Sequence, residues 1–573
     1  MSPSSNRCRT TYGGADENTT TRDSLAAEVE WLSQHVESLE YRLQRVENSL
    51  FFRFLRAAGG IAIWLKHKVL LTGPAAIRAA ETKRCYRKWL ARESASAPSR
   101  QWHIEQAAAW TYQPSVDIFL RMSGVPPERV RSAVASLFRQ TYTRWRLVPG
   151  NRRELASALD AECLRDPRVA NVDSATGDYV AFVDANDLLD PYALQYMIES
   201  VQSEPAELIY ADEDLVDSSG HPVAPDLKPD WSPVLLEQCM YLGNFLIARR
   251  ESLARVSGEA EWNLPELYDM ARLLGEHGKF VKHVPRILNH RRGVQQPVSE
   301  KTSSKPAFRE FEPVSVVICS RQPKLLRRCL EQLRKTAYPA MEIVVVEHET
   351  GDAATDATLR VVTEEFGCRS VTYRGPFNFS EMSNLGVSVA CGNYLVFFND
   401  DVWALTADWL EKLTAPLSDR QTAIIGAKLL YPNGTIQHAG ITIGINGAAG
   451  HPGRGLFHSP YWKWLDYTRE VSAVTGACLA IRRDVFRELN GFDPTFPVNY
   501  NDVDLCLRAR RAGYRVLIET SAPLQHAECQ TREPVVRLEE HRLFFKRWSS
   551  VLHDRDPYYN PNLTLKSENA ALG

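Results

Sequence analysis

The chain carries no excess of either charge: 68 Lys and Arg stand against 70 Asp and Glu, a formal net charge of −2 over 573 residues. No global basic field is present to attract nucleic acid, so no partner of that kind is expected. Long apolar runs are also missing. No window reaches the ~18–20 unbroken apolar residues that cross a bilayer, so no transmembrane helix is expected. The opening MSPSSNRCRTTYGGADENTTTR lacks the apolar centre of a secretory signal, so export by that route is not expected either. The 11 cysteines are scattered, at positions such as Cys8, Cys85, Cys239, Cys368 and Cys529, with no CxxC pair and an odd count. That argues against a disulfide framework and a zinc knuckle, and for a reducing cytoplasm. What remains, 44% hydrophobic and 24% charged residues, is an ordinary globular composition.

Residues 1–22 are rich in Ser, Thr, Asn and Gly without periodicity, which predicts a disordered tail. Over 23–50 the apolar residues fall at Leu25, Val29, Leu32, Val36, Leu39, Leu43, Val46 and Leu50, in alternating steps of four and three. This heptad seam predicts a two-stranded parallel coiled coil and hence a homodimer; a single helix packed on its own domain is the other reading. Residues 51–100 form a basic amphipathic helical segment ending in the linker ESASAPSR, and 51–92 hold ten Lys and Arg against one acid, Glu81. Phe51, Phe52, Phe54 and Trp64 among those charges suit a helix lying on the inner face of the cytoplasmic membrane. A pair of helices covering the next domain fits equally well.

From 114 to 292 strand-like runs alternate with helical ones, and the pattern repeats over 314–565 after the linker 293–313. Such alternation predicts an α/β fold with mainly parallel sheets, here as two copies of one domain. GDYVAFVDANDLLDP in the first copy answers GNYLVFFNDDVWALT in the second.

In the second copy the apolar strand Tyr394–Phe398 ends abruptly in Asn399, Asp400 and Asp401. Ligands bind at the carboxyl ends of strands in open α/β sheets, and hard oxygen donors there suit Mg²⁺ or Mn²⁺ bridged to a diphosphate. Asn501, Asp502 and Asp504 open a basic amphipathic helix, where a carboxylate also serves as an ordinary cap. His526 follows the strand RVLIET, and His438 (IQHAG) and His451 (AAGHPGRG) lie on loops that either cover an acceptor site or sit at the surface.

The phrases GPFNFSEMSNLGVSVACGNYLVFFNDD, GAKLLYPNGTIQHAG, EVSAVTGACLAIRRDVF, GFDPTFPVNYNDVDLCLR and DPYYNPNLT, in that order, resemble the family 2 glycosyltransferases of GT-A fold. The branch is the bacterial rhamnosyltransferase-like one that builds cell-surface polysaccharides. The resemblance implies two tandem GT-A domains and a nucleotide-sugar donor. It further implies a growing glycan or lipid-linked acceptor, a Mn²⁺ or Mg²⁺ cofactor and inversion at the anomeric carbon. Residue by residue, Asp401 and His526 would hold the metal, with Asp400 beside them for metal or ribose and Asn399 where many relatives have an acid. Asp502 would be the general base, with Asn501 in place of a Glu. Ser320 and Glu347, at the ends of the first two strands, would face the nucleotide, and Asn384 the donor. His438, His451 and Asp504 are the acceptor-side candidates.

The first copy departs from this pattern. RLVPGNRREL offers no base-reading acid, CLRDPRVANV leaves no room for the Asn-bearing helix, and Asn186, between Asp184 and Asp187, aligns with Asp401. Asp269 and His290 echo Asp502 and His526. The expectation is a degenerate, inactive transferase domain. Two other functions are weighed. A non-catalytic scaffold in a polysaccharide assembly complex would account for the coiled coil and the Asn substitutions. A sugar nucleotidyltransferase would want a glycine-rich first loop, and VICSRQPKLL has no glycine.

Overall fold

The computed structural model describes residues 75–149, 152–170, 176–256, 264–275, 280–293, 311–527 and 537–573. The tail and coiled-coil expectations, and the basic stretch up to residue 74, lie outside the described residues.

Two sheets organise the chain. The first contains β1 (Val116–Arg121), β2 (Trp145–Pro149), β3 (Tyr179–Asp184), β4 (Leu188–Leu189), β5 (Leu208–Val216), β6 (Pro222–Asp226), β7 (Leu246–Arg249) and β8 (Val281–Arg292). The second contains β9 (Val314–Ser320), β10 (Met341–His348), β11 (Arg369–Tyr373), β12 (Tyr394–Phe398), β13 (Val402–Ala404), β14 (Thr422–Leu430), β15 (Ile436–His438), β18 (Arg469–Glu470), β19 (Cys478–Arg482) and β20 (Arg515–His526). A separate two-stranded ribbon pairs β16 (Thr442–Ile443) with β17 (Ala449–Gly450).

The strand orders are β2-β1-β3-β7-β5-β8-β4 and β11-β10-β9-β12-β19-β14-β20-β13. Position for position they are the same path with the same parallel and antiparallel pairings, and the second sheet alone adds β11 at its edge. The repeat read from the sequence is thus present as a repeated topology. The added strand and the helix after it, Phe379–Val389, occupy the stretch for which the first copy has too few residues.

Both faces of the second sheet are covered, which is why its strands read as continuous apolar runs rather than alternating ones. Val317, Val346, Leu395 and Phe397 face the helices Phe379–Val389, Asn501–Arg511 and Leu538–His553. Val316, Ile318, Val345 and Val396 face Pro323–Leu333 and Ala353–Glu365.

The helix Ala75–Ser96 takes up the first half of the segment expected as a linker, which shrinks to three residues before a second helix, Arg100–Ala109, capped by Ser99. From Ala80 onward this basic helix covers the first sheet. Tyr86 is fully buried and donates to Asp214 Oδ2 at 2.7 Å, and Lys83 pairs with Asp217 at 2.9 Å. Over residues 80–92 the structure thus shows the covering-helix arrangement, held by Lys83, Tyr86 and Arg87 on the first domain. No helix among the described residues is long and apolar enough to cross a membrane.

The two sheets share a core. Leu208, Tyr210, Leu227 and Leu246 of the first copy pack in one cluster with Ile436, Trp462, Trp464, Tyr559 and Leu563 from the second copy and the C-terminal segment. Polar groups close the seam. Trp464 Nε1 donates to the Leu227 carbonyl at 2.6 Å, Lys463 pairs with Asp226 at 2.8 Å, and Asn560 Nδ2 donates to Asp212 Oδ2 at 2.8 Å and to the Lys228 carbonyl at 2.9 Å.

Candidate active site

The carboxyl ends of β9, β10 and β12, the loop before β19 and the start of the helix Asn501–Arg511 surround a cavity of about 360 Å³. Ser320, Asn399, Asp400, Asp401, Asn501, Asp502, His451 and His526 all line it. Eight residues singled out between positions 320 and 526 of the sequence thus meet in one space.

The strand β12 delivers Asn399–Asp401 to the cavity, and the immediate return of the chain into β13 decides which way the carboxylates point. Because Val402 pairs with His526 across the sheet, Asp401 is set against the imidazole, with His526 Nε2 3.2 Å from Oδ1. Asp400 diverges to accept from Ser320 Oγ at 2.6 Å. Burial pushes the Asp400 carboxyl up to about 6, the Ser320 hydroxyl opposes that, and the neighbouring Asp401 charge adds to it. Asp400 is thus turned to Ser320, whereas Asp401 lines the cavity with the His526 imidazole beside it.

On the opposite wall Tyr500 adopts φ +62°, a left-handed conformation that a bulky residue rarely takes. Its ring stacks on Phe544 at 4.4 Å and its hydroxyl meets His541 Nδ1 at 2.9 Å, which holds the kink in place. The kink starts the next helix at the cavity. Asn501 is buried under that start, its Oδ1 accepting the Asp502 N–H at 2.7 Å and its Nδ2 reaching the Val498 and Phe496 carbonyls. It serves as a backbone staple. Asp502 Oδ2 accepts the Gly476 N–H at 2.8 Å, and burial raises its carboxyl above the ordinary range against the pull of those amide hydrogen bonds.

Four expected residues, Asp504, Asn384, His438 and Glu347, do not line the cavity. Asp504 is fully buried on the other side of its helix, accepting from Arg508 at 2.7 Å, Arg547 at 2.9 Å and Trp548 Nε1 at 3.0 Å, so it is an ion-pair hub and not an acceptor-side group. Asn384 clasps the backbone of Phe492 with both ends of its amide, at 2.8 and 3.0 Å, beneath Gly491, where any Cβ would come within 2.6 Å of Asn384 Oδ1. Its amide is committed to that loop rather than to a ligand. His438 is completely buried one layer behind the wall, Nδ1 to Nδ1 with His451 at 2.9 Å. Glu347, the last residue but one of β10, sits beside its register partner Ser320, is 4% exposed and stays out of the cavity wall, which its successor His348 lines. His348, Arg321 and the Thr475-Gly476 turn are wall residues that the sequence reading missed; TGA in EVSAVTGACLAIRR was the available signal for the last.

The first copy handles the same positions differently. There β4 pairs Leu188 with His290, as β13 pairs Val402 with His526. Counting back from that pair puts Asp187, and not Asn186, where Asp401 stands, because the turn after β3 is one residue longer. Asp187 is 2% exposed and saturated by the amides of Asn244 at 2.9 Å and Asn289 at 3.2 Å, while His290 has turned to Asp214 at 2.7 Å. Arg121 stands over the neighbouring Asp184 at 3.6 Å. The Asp–His pair of the second copy has no counterpart here, and Asp269 is exposed on the helix Leu264–Gly275.

Against known proteins, residues 312–542 match the model of the Glycosyltransferase like family 2. The second copy is therefore a family 2 glycosyltransferase domain. The O-antigen biosynthesis protein RfbC of Myxococcus xanthus is 30% identical over 553 residues, which span 85% of this chain and 43% of that protein. The uncharacterized protein y4gI of Sinorhizobium fredii is 28% identical over 535 residues, 80% of this chain and 58% of its own length. The chain thus spans about half the length of the curated relatives it matches. Among solved structures, GalNAc-T7 with UDP, GalNAc and Mn²⁺ aligns over 38% of this chain and 44% of its own at 17% identity and a TM-score of 0.33.

Proposed function

We propose that the domain spanning 314–565 transfers a sugar from a nucleotide-diphosphate donor to a growing bacterial surface polysaccharide or lipid-linked glycan, by one displacement that inverts the anomeric centre. The observation that carries this reading is the cavity itself. A carboxylate paired with an imidazole, Asp401 with His526, stands at the strand ends, and a separate buried carboxylate, Asp502, stands on the facing wall.

The donor set suits a hard divalent cation only as a shared one. Among the described residues no group of three or more metal-binding side chains gathers into a cage. Asp401 and His526 would contribute two ligands and leave the others to diphosphate oxygens and water, the usual habit of Mg²⁺ and Mn²⁺. When bound, such an ion neutralises the charge that grows on the leaving diphosphate. The chain's own groups do the rest. Ser320 and Asp400 offer a hydroxyl–carboxylate pair to the donor, and Asp502, its pKa raised by burial, accepts the proton of the attacking hydroxyl. With one base, Asp502, on the facing wall, a single displacement is the simpler path.

The domain at 114–292 is read as a degenerate GT-A copy whose role is structural, because its one matching carboxylate, Asp187, is spent on amides. Pairing of two chains through the heptads of 25–50, and contact of the basic stretch 51–74 with the inner face of the cytoplasmic membrane, belong to the same proposal. The test is calorimetric titration of the full chain with a panel of UDP-, dTDP- and GDP-sugars in Mn²⁺ or Mg²⁺. Asp401→Ala is expected to abolish cation-dependent binding and Asn186→Ala to leave it intact. Equal loss in both variants would end the division of labour between the copies, and no binding by the unaltered chain would favour the scaffold.

A further inference from the structure

In the phrase IQHAG the histidine is the residue that attracts notice, yet the strand it lies on presents its neighbour to the cavity. Successive side chains of a strand point to opposite faces. Along β15, Ile436 enters the core shared with Trp462 and Trp464, and His438, on the same face, is wholly buried behind the wall. Gln437 points the other way and lines the cavity.

The wall that Gln437 belongs to is also the wall of Asp502. Gly440, at φ +101° with its missing Cβ only 2.7 Å from Val471, lets the chain turn after β15, and the Ile441 N–H then bonds the Ala473 carbonyl at 2.7 Å. Two residues further on, the Thr475 N–H meets His438 Nε2 at 3.4 Å, and the next N–H, of Gly476, binds Asp502 Oδ2 at 2.8 Å. One turn thus fixes both β15 and the carboxylate.

The Gln437 amide has no use inside the protein. The residue is 4% exposed, and among the described residues nothing donates to its buried Oε1 and nothing accepts from its Nε2. A buried carbonyl oxygen without a donor is unfavourable, and native interiors pair nearly all such groups. An apolar side chain of the same length would fill the space without that cost. The terminal torsion of a glutamine is soft, so the amide can turn either end to a molecule that enters the cavity. The orphaned oxygen needs a donor. Diphosphate oxygens are ionised near neutral pH and only accept, so they leave Oε1 unpaired, whereas a hydroxyl both donates to Oε1 and accepts from Nε2. A sugar ring carries hydroxyls on adjacent carbons, a match for the two ends of one amide.

We infer that Gln437 binds a hydroxyl of the acceptor sugar, the same molecule whose attacking hydroxyl faces Asp502. The inference rests on the transferase reading for which sugar this is, and on the orphaned amide for the hydroxyl chemistry.

The test uses the full chain with Gln437→Met, similar in length and volume but apolar, and Gln437→Glu, which keeps an acceptor oxygen. With no partner to lose, Gln437→Met should melt at or above the temperature of the unaltered protein; a clear fall would show that the amide holds the fold and would overturn the inference. Binding is read by saturation-transfer difference titration of methyl glycosides of glucose, galactose, mannose and rhamnose, in Mn²⁺ with UDP, dTDP or GDP. Gln437→Met should weaken the glycoside that binds by about three- to tenfold, the reach of one neutral hydrogen bond, at unchanged nucleotide affinity, and Gln437→Glu should keep most of the glycoside affinity. Monodeoxy forms of that glycoside locate the contact: one deoxy position should cost the unaltered chain a similar factor and cost Gln437→Met nothing further. Failure of every glycoside to bind, or a deoxy penalty of the same size in both proteins at every position, would refute the contact. Loss of nucleotide affinity in Gln437→Glu would put the amide on the diphosphate and overturn the inference as well. Transfer is measured separately as released nucleoside diphosphate, where Gln437→Met should raise the acceptor KM by the same factor at nearly constant donor KM. A chain that binds glycoside through Gln437 and transfers nothing would refute the transferase reading while the hydroxyl site stands.

Discussion

At the scale of single residues, the decisive one is Asp502. Its Oδ2 already accepts the Gly476 N–H and its backbone N–H is held by Asn501, so the side chain is fixed at the cavity whatever its charge. Asp502→Asn keeps the volume and an acceptor oxygen for Gly476 but removes the proton acceptor, and loss of a general base costs ~10²–10⁴-fold in rate. The expected outcome is that loss of turnover with donor affinity and melting temperature close to those of the unaltered protein. If Asp502 only started the helix, Asn would cap it nearly as well, and turnover would stay near normal. In the sequence an acid at this helix start reads equally well as an ordinary cap, and only the resemblance singled Asp502 out as a base. The abrupt end of an apolar strand located Asp400 and Asp401. It could not tell the two apart: only the pairing of Val402 with His526 shows that Asp401 meets the histidine while Asp400 turns to Ser320.

At the scale of the element, the helix Asn501–Arg511 separates two acids that look alike in sequence. Residues two apart on an α-helix are rotated by about 200°, so Asp502 and Asp504 cannot share a face, and that periodicity alone would have removed Asp504 from the acceptor side. Asp504 instead gathers Arg508, Arg547 and Trp548 and so ties this helix to Leu538–His553, which also carries the rings packed against Tyr500. Removing one partner of a buried ion cluster leaves the others uncompensated. Asp504→Ala is therefore expected to destabilise the protein by about 3–5 kcal/mol, read as a fall in the denaturation midpoint, with donor affinity of the folded fraction nearly unchanged. Loss of affinity without loss of stability would return Asp504 to the site. Other misreadings share a cause that no local pattern reveals. Asn384 looks like a ligand-facing amide until the loop at Gly491 closes over it, and the one-residue longer turn that puts Asp187 in place of Asn186 is invisible until the strand register is known.

At the scale of the whole molecule, the repeat was readable from two similar phrases, but the fusion of the copies was not. It depends on side chains far apart in sequence that meet only in the folded chain. The segment after Leu538–His553 is the joint. Asp556 Oδ2 accepts the Ile443 N–H at 2.7 Å next to the ribbon that carries His451, and Asn560 in the same segment donates to the buried Asp212 of the first copy. Asp212 is also held by His283 at 2.9 Å, which in turn meets Asp230, and Asp230 receives Arg555 at 2.8 Å. The first copy thus braces the ribbon beside the second copy's cavity. Two independently folding domains would melt separately, whereas a shared core should make unfolding of the two sheets one event. Asn560→Ala leaves the fully buried Asp212 without its main amide donor, a defect of about 1–3 kcal/mol. Scanning calorimetry should therefore record one cooperative transition for both sheets, displaced as a whole to lower temperature by Asn560→Ala. Two transitions, with only one of them moved by the substitution, would show that the copies are merely adjacent and that the first braces nothing.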